Sequence, residues 1–163
     1  LLAPMTGHIV ALDQVPDPVF SGRIVGDGLA FRPLQGNVVA PCEATVTLIH
    51  ASRHAMFLTT NEGVELLLHV GIDTVELQGQ GFDLRVERNQ KVKAGEVLLV
   101  ADLSVLAASG KHLDSVLIIT EPSTYEIRPV VHEGLVEAGR DVVLEMVALE
   151  GGQGDDRGTA RTG

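Results

Sequence analysis

Short aliphatic runs separated by turn signals extend through most of the 163-residue chain. Within these runs Val, Leu and Ile alternate with polar residues, and turn sequences such as "GDG" and "TTNEG" stand between them. Many short strands at close spacing are typical of an antiparallel β-sandwich or barrel. The pattern predicts strands at Gly7–Leu12, Gly22–Val25, Leu29–Pro33, Gly36–Ala40, Ala44–His50, His54–Thr59, Val64–Val70, Lys91–Ala101, Ser115–Thr120 and Asp141–Val147.

One stretch, "LSVLAASGKHLD", is the best candidate for a helix. Ser104 is of a residue type that caps helix N-termini, and Gly110 is of a type that ends helices. We therefore expect an all-β fold, an antiparallel sandwich- or barrel-like domain with at most short peripheral helices.

Two pairs of similar segments predict a duplicated β motif. "APMTGHIVAL" at residues 3–12 is similar to "APCEATVTLI" at residues 40–49, and "VKAGEVLLV" at 92–100 is similar to "VEAGRDVVL" at 136–144. The last segment of the chain, "GGQGDDRGTARTG", has no apolar periodicity and predicts a flexible Gly-rich linker or tail at residues 151–163. The length favours one folded domain, which we expect at residues 1–150.

Composition excludes several classes of partner and site. The formal net charge of −10 argues against nucleic acid, because phosphate binding needs clustered Lys and Arg. No apolar run approaches the roughly 20 residues of a membrane span, so we expect no direct membrane insertion. Cys42 is the single cysteine, which excludes an internal disulfide; it is interpreted as a small buried filler in a reducing compartment.

Two histidines flank one predicted hairpin. If its loop is residues 60–63, His54 and His69 lie directly opposite each other with their side chains on one face. Two such imidazoles are unrelated half-buried residues, or metal ligands that need a third, or a nucleophile with a helper that holds an anionic group. No partner pattern surrounds the remaining histidines, which are interpreted as structural or surface residues: His8, His50, His112 and His132.

The segment "VELLLHVGIDTVELQGQGF" resembles the active-site segment of the glucose-type IIA (enzyme IIA) family of the bacterial phosphoenolpyruvate-dependent sugar phosphotransferase system. The likeness continues, in the family's order, in "APMTGHIVALDQVPDPVFSGRIVGDGLAFRP", "VVAPCEATVTLI", "RHAMFL" and "NQKVKAGEVLLVADL". It extends over residues 2–147 and therefore over nearly the whole predicted domain.

The resemblance implies a phosphoryl-carrier site. In the family, the histidine of the His-x-Gly-Ile-Asp-Thr-Val motif, here His69, carries the phosphoryl group on Nε2, and the upstream histidine, here His54, supports that group. The carbonyl of Gly71 would accept from Nδ1–H of His69 and so fix the ring's tautomer. A hydroxyl would orient the helper; Ser52 stands where the family commonly has Thr.

The resemblance also implies a docking face around the histidines. An apolar patch would exclude water from the site, and a rim of carboxylates would steer a basic partner. By matching position, the patch is expected at Val19, Phe20, Val25, Leu67 and Val75, and the rim at Asp17, Asp73 and Glu76.

The function implied is a phosphotransferase relay in the cytoplasm. The phosphocarrier HPr would pass a phosphoryl group to His69, which would pass it to the IIB domain of a sugar permease. No cofactor is implied, because the phosphohistidine is a covalent intermediate; adventitious zinc at His54 and His69 is conceivable.

Three alternatives belong to other classes. A zinc hydrolase of the lysostaphin type has a related fold, but it would need a His-x-His pair, which the sequence lacks. A biotinyl or lipoyl carrier presents a lysine after Met, whereas no methionine here precedes a lysine. A non-catalytic regulatory binding domain is the third alternative.

Overall fold

The computed structural model describes residues 1–120 and 123–149. Residue 150, at which the predicted domain ends, and the predicted tail at 151–163 lie outside the described residues. The described residues form short strands throughout: β1 Gly7–Val10, β2 Gly26–Pro33, β3 Asn37–Val39, β4 Ala44–Ile49, β5 Ala55–Thr60, β6 Glu65–His69, β7 Phe82–Leu84, β8 Lys91–Val92, β9 Val97–Ala101, β10 Ser115–Thr120, β11 Tyr125–Pro129, β12 Leu135–Val136 and β13 Leu144–Ala148. Helices are few and short: α1 Pro18–Ser21, α2 Leu103–Ala108, and two 3₁₀ turns, Leu12–Gln14 and Thr74–Leu77.

All of these strands pair in antiparallel fashion. The large sheet has eight strands in the order β12-β1-β2-β10-β6-β5-β4-β8, and smaller sheets have the orders β3-β9-β7 and β11-β13. The prediction of an all-β, antiparallel fold with short peripheral helices is therefore confirmed.

Three local predictions were wrong. Gly22–Val25 is a loop after α1, because the Asp17 side chain accepts from Val19 N and starts a helical turn where we expected none. The predicted strand Lys91–Ala101 is split into β8 and β9 by a turn. Helix α2 is capped by Asp102, whose carboxylate accepts from two amides of the first turn, and not by Ser104.

The duplicated motif appears in the strand register. Gly7 of β1 lies opposite Val136 of β12, and Ala44 of β4 lies opposite Val92 of β8. These four residues occupy equivalent positions in the two pairs of similar segments. The two copies therefore pair their strands in the same way at opposite ends of the large sheet.

The turns after the two repeats also match. The amide of Gly95 donates to the carbonyl of Ala40 over 2.8 Å, and that of Gly139 donates to Ala3 over 2.9 Å. The two glycines meet, since a Cβ on Gly139 would lie 3.4 Å from Cα of Gly95. The equivalent turns of the two copies are therefore in contact with each other.

The large sheet has apolar side chains on both faces, and β10 at its centre is buried along its whole length. Leu117 and Ile119 point into the main core, which fills the space between the sheets. Val116 and Ile118 point the other way, into a smaller cluster that Leu12 and Phe20 cover. Each face of the sheet therefore has its own core, and the smaller one lies under α1.

Cys42 is half-buried at the edge of the main core. Burial raises the pKa of its thiol to about 11. A thiol with such a pKa is almost wholly protonated at neutral pH, and a protonated thiol is a poor nucleophile. The prediction that Cys42 fills space holds in part, since the residue is packed but not fully covered.

Candidate active site

His69 is the last residue of β6 and lies on the face of the large sheet that carries the smaller cluster. Its direct neighbours across the sheet are Ala55 of β5 and Val116 of β10, and residues so opposed share a face. Its ring also meets Phe20 edge to face, with the ring centroids 4.9 Å apart. Packing therefore holds the ring at the end of its strand while leaving it only half-buried.

A hydrogen bond determines which nitrogen of His69 carries the proton. Nδ1 lies 2.9 Å from the carbonyl oxygen of Gly71. Because a carbonyl oxygen can only accept, Nδ1 must be the donor, and the neutral ring has its lone pair on Nε2. This is the tautomer that an Nε2 nucleophile requires.

The peptide of Gly71 is fixed from several sides. Its φ is +73°, and an added Cβ would lie 2.5 Å from Cγ2 of Thr74, so no other residue fits here without strain. Its amide donates to the hydroxyl of Ser115 over 3.0 Å, and that hydroxyl donates to the carbonyl of Leu113. The amide of Ile72, which shares a peptide group with the Gly71 carbonyl, donates to the carbonyl of His112 over 3.0 Å, so the peptide groups on both sides of Gly71 are held.

His54 lies in the loop between β4 and β5, immediately before β5 begins. Its ring meets that of His69 nearly perpendicularly, with centroids 4.8 Å apart and an interplanar angle of 81°. The residue is 4% exposed and is therefore almost fully enclosed. The two imidazoles are nevertheless in direct contact, as the sequence predicted.

The contact does not arise from the predicted register. His69 lies opposite Ala55, because the amide of Thr60 bonds to Val64 and the loop has three residues where four were expected. A shift of one residue should place the two histidines on opposite faces. The ring of His54 nevertheless reaches His69 from a position opposite Val70, whose amide donates to the His54 carbonyl over 2.8 Å, and directly after Arg53, whose φ is +62°.

Both Nε2 atoms remain open. Among the side-chain nitrogen and oxygen atoms of the described residues, only Nδ1 of His54 is both fully buried and without a hydrogen-bond partner. Neither Nε2 has a hydrogen-bond partner in that part of the chain, so neither is fully buried. Each Nε2 atom therefore keeps some exposure to solvent.

Both rings are neutral at pH 7. Burial, with smaller contributions from the other two imidazoles, lowers the pKa of His54 to about 4, although the backbone of Ser52 opposes the change. Burial also lowers the pKa of His69, against the opposing effects of the Gly71 carbonyl and of Asp17 and Asp73. A neutral imidazole is the form that attacks phosphorus.

Ser52 has a different contact from the one predicted. Within the described residues its hydroxyl bonds to neither ring, and its amide donates to Nδ1 of His50 over 3.1 Å. His50 in turn packs against His54, with ring centroids 4.5 Å apart. The predicted role of the Ser52 hydroxyl stays a prediction, and His50, which was interpreted as a structural or surface residue, lies beside His54.

Only part of the predicted apolar patch is at the surface. Val19 is 42% exposed and Val75 is 43% exposed, and Val25 is half-buried. Phe20 and Leu67 are each 5% exposed and belong to the smaller cluster. The side chains of these two residues pack beneath the exposed residues of the patch and are not themselves available for contact with a partner.

The three predicted rim carboxylates are found near the site in different settings. Asp17 caps α1 and Asp73 starts the 3₁₀ turn after Gly71, and the charge of each raises the pKa of His69. Glu76 lies in that 3₁₀ turn and pairs with Lys111. The first two carboxylates are thus electrostatically coupled to His69.

No three His, Cys, Asp or Glu side chains in residues 1–120 and 123–149 are placed to share a metal ion. Over the same residues no helix is both long and apolar enough to span a bilayer.

Residues 1–125 match the family model described as phosphoenolpyruvate-dependent sugar phosphotransferase system, EIIA 1. The chain belongs to this family. The resemblance recognised in the sequence is therefore confirmed.

Curated relatives of this EIIA-family chain are larger proteins. It is 42% identical over 90% of its length to the PTS system N-acetylglucosamine-specific EIICBA component of Klebsiella pneumoniae. It is 39% identical over 88% to the glucoside-specific EIICBA component of Staphylococcus carnosus and 44% identical over 70% to the glucose-specific EIICBA component of Streptococcus pneumoniae. The aligned part spans 22%, 21% and 16% of these relatives, respectively.

A solved structure of the same family has the same fold. The glucose permease IIA from Mycoplasma capricolum superimposes with a TM-score of 0.82 and 37% sequence identity, covering 88% of this chain and 93% of that chain.

Three residues near the site of the EIIA-family chain were not among the predicted site residues. His50 contacts His54, Ser115 holds the peptide of Gly71, and Ile24 is 70% exposed beside the patch, with its amide bonded to Val19. Ile24 lies in the segment Gly22–Val25 that was predicted as a strand, so its place in an exposed loop was not expected. The other two act through contacts that are distant in sequence or depend on the shape of a loop.

Proposed function

We propose that this chain is a phosphoryl carrier that accepts a phosphoryl group on Nε2 of His69 and passes it to the IIB part of a sugar permease. The observation that carries the proposal is a pair of touching imidazoles whose Nε2 atoms are both open, one with Nδ1 bonded to Gly71. Family membership and the EIICBA relatives support it. The donor we propose is phospho-HPr, and the compartment is the cytoplasm.

The transfer requires little beyond positioning and charge stabilisation. The Nε2 lone pair of His69 attacks phosphorus in line while the phosphorus–nitrogen bond of the donor breaks, and its electron pair stays on the donor imidazole. The proton on Nδ1 remains where it is, hydrogen bonded to Gly71. In the second transfer His69 is the leaving group, and it again becomes a neutral imidazole.

We propose that His54 donates from Nε2–H to an oxygen of the phosphoryl group. The low pKa of His54 keeps the ring neutral, so the ring carries one proton, on either Nδ1 or Nε2. Nδ1 is buried without an acceptor, so a proton there would be an unpaired buried donor. A proton on Nε2 is instead on the partly exposed side of the ring, where it can be donated to a phosphoryl oxygen. In the family scheme Ser52 would orient this ring through its hydroxyl.

The docking face we propose is the exposed apolar group Val19, Ile24 and Val75, with Asp17, Asp73 and Glu76 around it. Its apolar residues can exclude water, and its carboxylates can steer a partner that carries basic side chains. The net charge of −10 agrees with such a partner. The transfer requires no bound cofactor, because the phosphoryl group is held covalently.

The direct test of the acceptor is labelling. The protein is incubated with enzyme I, HPr and labelled phosphoenolpyruvate, and the acid-labile phosphorylated residue is mapped. We expect label on His69 and none in His69→Gln, with His8→Gln as a matched control on an exposed histidine. Undiminished labelling of His69→Gln would reject the assignment.

The helper is tested by separating acceptance from onward transfer. We expect His54→Gln to accept the phosphoryl group but to pass it on about a hundredfold more slowly, because one donor to the phosphoryl oxygens is lost. The rate is measured with the IIB part of the Klebsiella N-acetylglucosamine relative as acceptor. A normal onward rate in this variant would show that His54 is not a helper.

A further inference from the structure

His54 has no hydrogen bond that fixes the orientation of its ring. Nδ1 is buried and unpartnered among the described residues, whereas Nδ1 of His69 is anchored on Gly71. Buried polar atoms are paired in the great majority of cases. The terminal torsion of histidine is broad, so an unanchored ring can adopt several angles unless its neighbours prevent this. The orientation of the His54 ring must therefore be determined by packing, whereas that of His69 is determined by a hydrogen bond.

The neighbours of His54 are three rings. The rings of His69 and His50 each pack edge to face against that of His54, with ring centroids 4.8 Å and 4.5 Å away. The ring centroid of Phe82, a residue of the main core, lies 6.5 Å from that of His54. His69 and Phe82 are held by their own strands. His50 is the one of the three that comes from the same loop as His54, and it is exposed.

His50 is itself held in place. Its Nδ1 accepts from the amide of Ser52 over 3.1 Å, and its own amide donates to the carbonyl of Ala55 over 2.9 Å. The first bond fixes the angle of the imidazole, and the second closes the loop that contains His54. The ring of His50 therefore has a fixed orientation, although the residue is exposed.

We propose that His50 is a positioning residue for the helper. Its anchored ring covers His54 and holds the His54 imidazole at the angle that directs Nε2 toward the phosphoryl pocket. This inference deepens the proposed function and rests on it. The chemical requirement at position 50 is a flat ring, and the nitrogen that bonds to Ser52 improves its anchoring.

The test uses three variants of the 163-residue chain. His50→Ala removes the ring, His50→Phe keeps a ring without the Nδ1 acceptor, and His50→Asn keeps an acceptor for the Ser52 amide without the ring. His8→Ala is the control for loss of an exposed histidine. Onward transfer from labelled protein to the IIB part of the Klebsiella relative gives the rate, and ¹H–¹⁵N spectra of the histidine rings report the environment of His54.

We expect His50→Ala and His50→Asn to lower the onward rate by roughly tenfold, since small displacements of a positioned group are costly. In both, the ring signals of His54 should shift or broaden. His50→Phe should restore most of the rate and the signals, and His8→Ala should change neither. A normal rate and spectrum in His50→Ala, or no rescue by phenylalanine, would overturn the proposal.

The two failures can be told apart. If unmodified protein takes up no label, the proposed function is wrong, and the ring spectra still show whether His50 orients His54. If labelling is normal but the spectra of His54 do not depend on residue 50, the positioning role is wrong and the carrier function stands.

Discussion

The carbonyl of Gly71 determines which nitrogen of His69 can react. It can only accept a hydrogen bond, so Nδ1 keeps the proton and Nε2 keeps the lone pair. The motif His-x-Gly thus contains both the nucleophile and the group that sets its tautomer. A left-handed φ at Gly71 turns the carbonyl back toward the ring, which explains why glycine stands there.

Ser115 supports this arrangement from the main-chain side, and its loss should be measurable. Its hydroxyl is the acceptor for the buried amide of Gly71. We expect Ser115→Ala to lower the free energy of unfolding by about 2 kcal/mol, because a buried N–H is left without a partner. Urea unfolding measures the change.

The control for Ser115 is Ser109→Ala at the exposed end of α2, which should change stability by less than about 0.5 kcal/mol. We also expect Ser115→Ala to slow the labelling of His69, since the Gly71 carbonyl is less well held. Equal stabilities of the two variants would show that the Gly71 amide finds another partner.

At the scale of elements, the hairpin β5–β6 separates what sequence can predict from what it cannot. The alternation of apolar residues predicted both strands, and the turn signal predicted their connection. The register depends on whether the loop has three or four residues, and both are compatible with "TTNEG". The contact of His54 with His69 also depends on the shape of the loop before β5, where Arg53 has a left-handed φ that no local pattern signals.

Recognition of the site motif succeeded because its residues are contiguous in the sequence. His69 and Gly71 are two positions apart, so their hydrogen bond is a local property of the segment. Ser115 lies on β10 and reaches Gly71 only because β10 and β6 are neighbours in the sheet. The burial of Phe20, which was expected in the exposed patch, could not be predicted for a similar reason, since it depends on how α1 packs against the sheet.

An ion pair ties β2 to the start of β10. Nε and Nη2 of Arg32 donate to the two oxygens of Asp114 over 2.9 and 3.2 Å, and the side chain of Asp114 is 7% exposed. We expect Arg32→Ala to destabilise the protein by about 2 kcal/mol, because it leaves a carboxylate buried and unpaired. Urea unfolding at pH 7 measures the loss.

The matched comparison is Arg23→Ala. Arg23 pairs with Asp27 at a similar distance of 2.9 Å, but both side chains are about half exposed. Such surface pairs contribute about 0–1 kcal/mol. If the two arginine variants were equally stable, burial of Asp114 would not be the reason for the effect.

At the scale of the whole molecule, the fold has two hydrophobic cores, one between the sheets and one beneath the site. The main core lies between the sheets, where the duplicated motifs pair, and it meets the site at Phe82, whose ring lies 6.5 Å from that of His54. The smaller cluster lies under α1 and supports His69 and the exposed patch. The site can therefore hold two uncharged imidazoles in a partly buried position, and the stability of the rest of the sheet offsets the cost.

That cost should appear as a dependence of stability on pH. An unfolded histidine has a pKa of about 6.5, whereas burial lowers the pKa of His54 to about 4 and lowers that of His69. Because the folded pKa values are depressed, the unfolded state binds more protons as the pH falls below about 6.5. The stability that neutral His54 preserves is complete above that pH and is lost progressively toward pH 4.

We expect His54 alone to account for a loss of about 2 kcal/mol in the free energy of unfolding between pH 7.5 and pH 5. Urea unfolding at the two pH values measures it, and pH 5 is chosen because most carboxylates are still ionised there. The variant His54→Gln removes the titrating ring, so its loss over the same interval should be smaller by about that amount. If both proteins lost the same free energy, His54 would be titrating normally in the folded state, and burial would not be what keeps its ring neutral in the proposed relay.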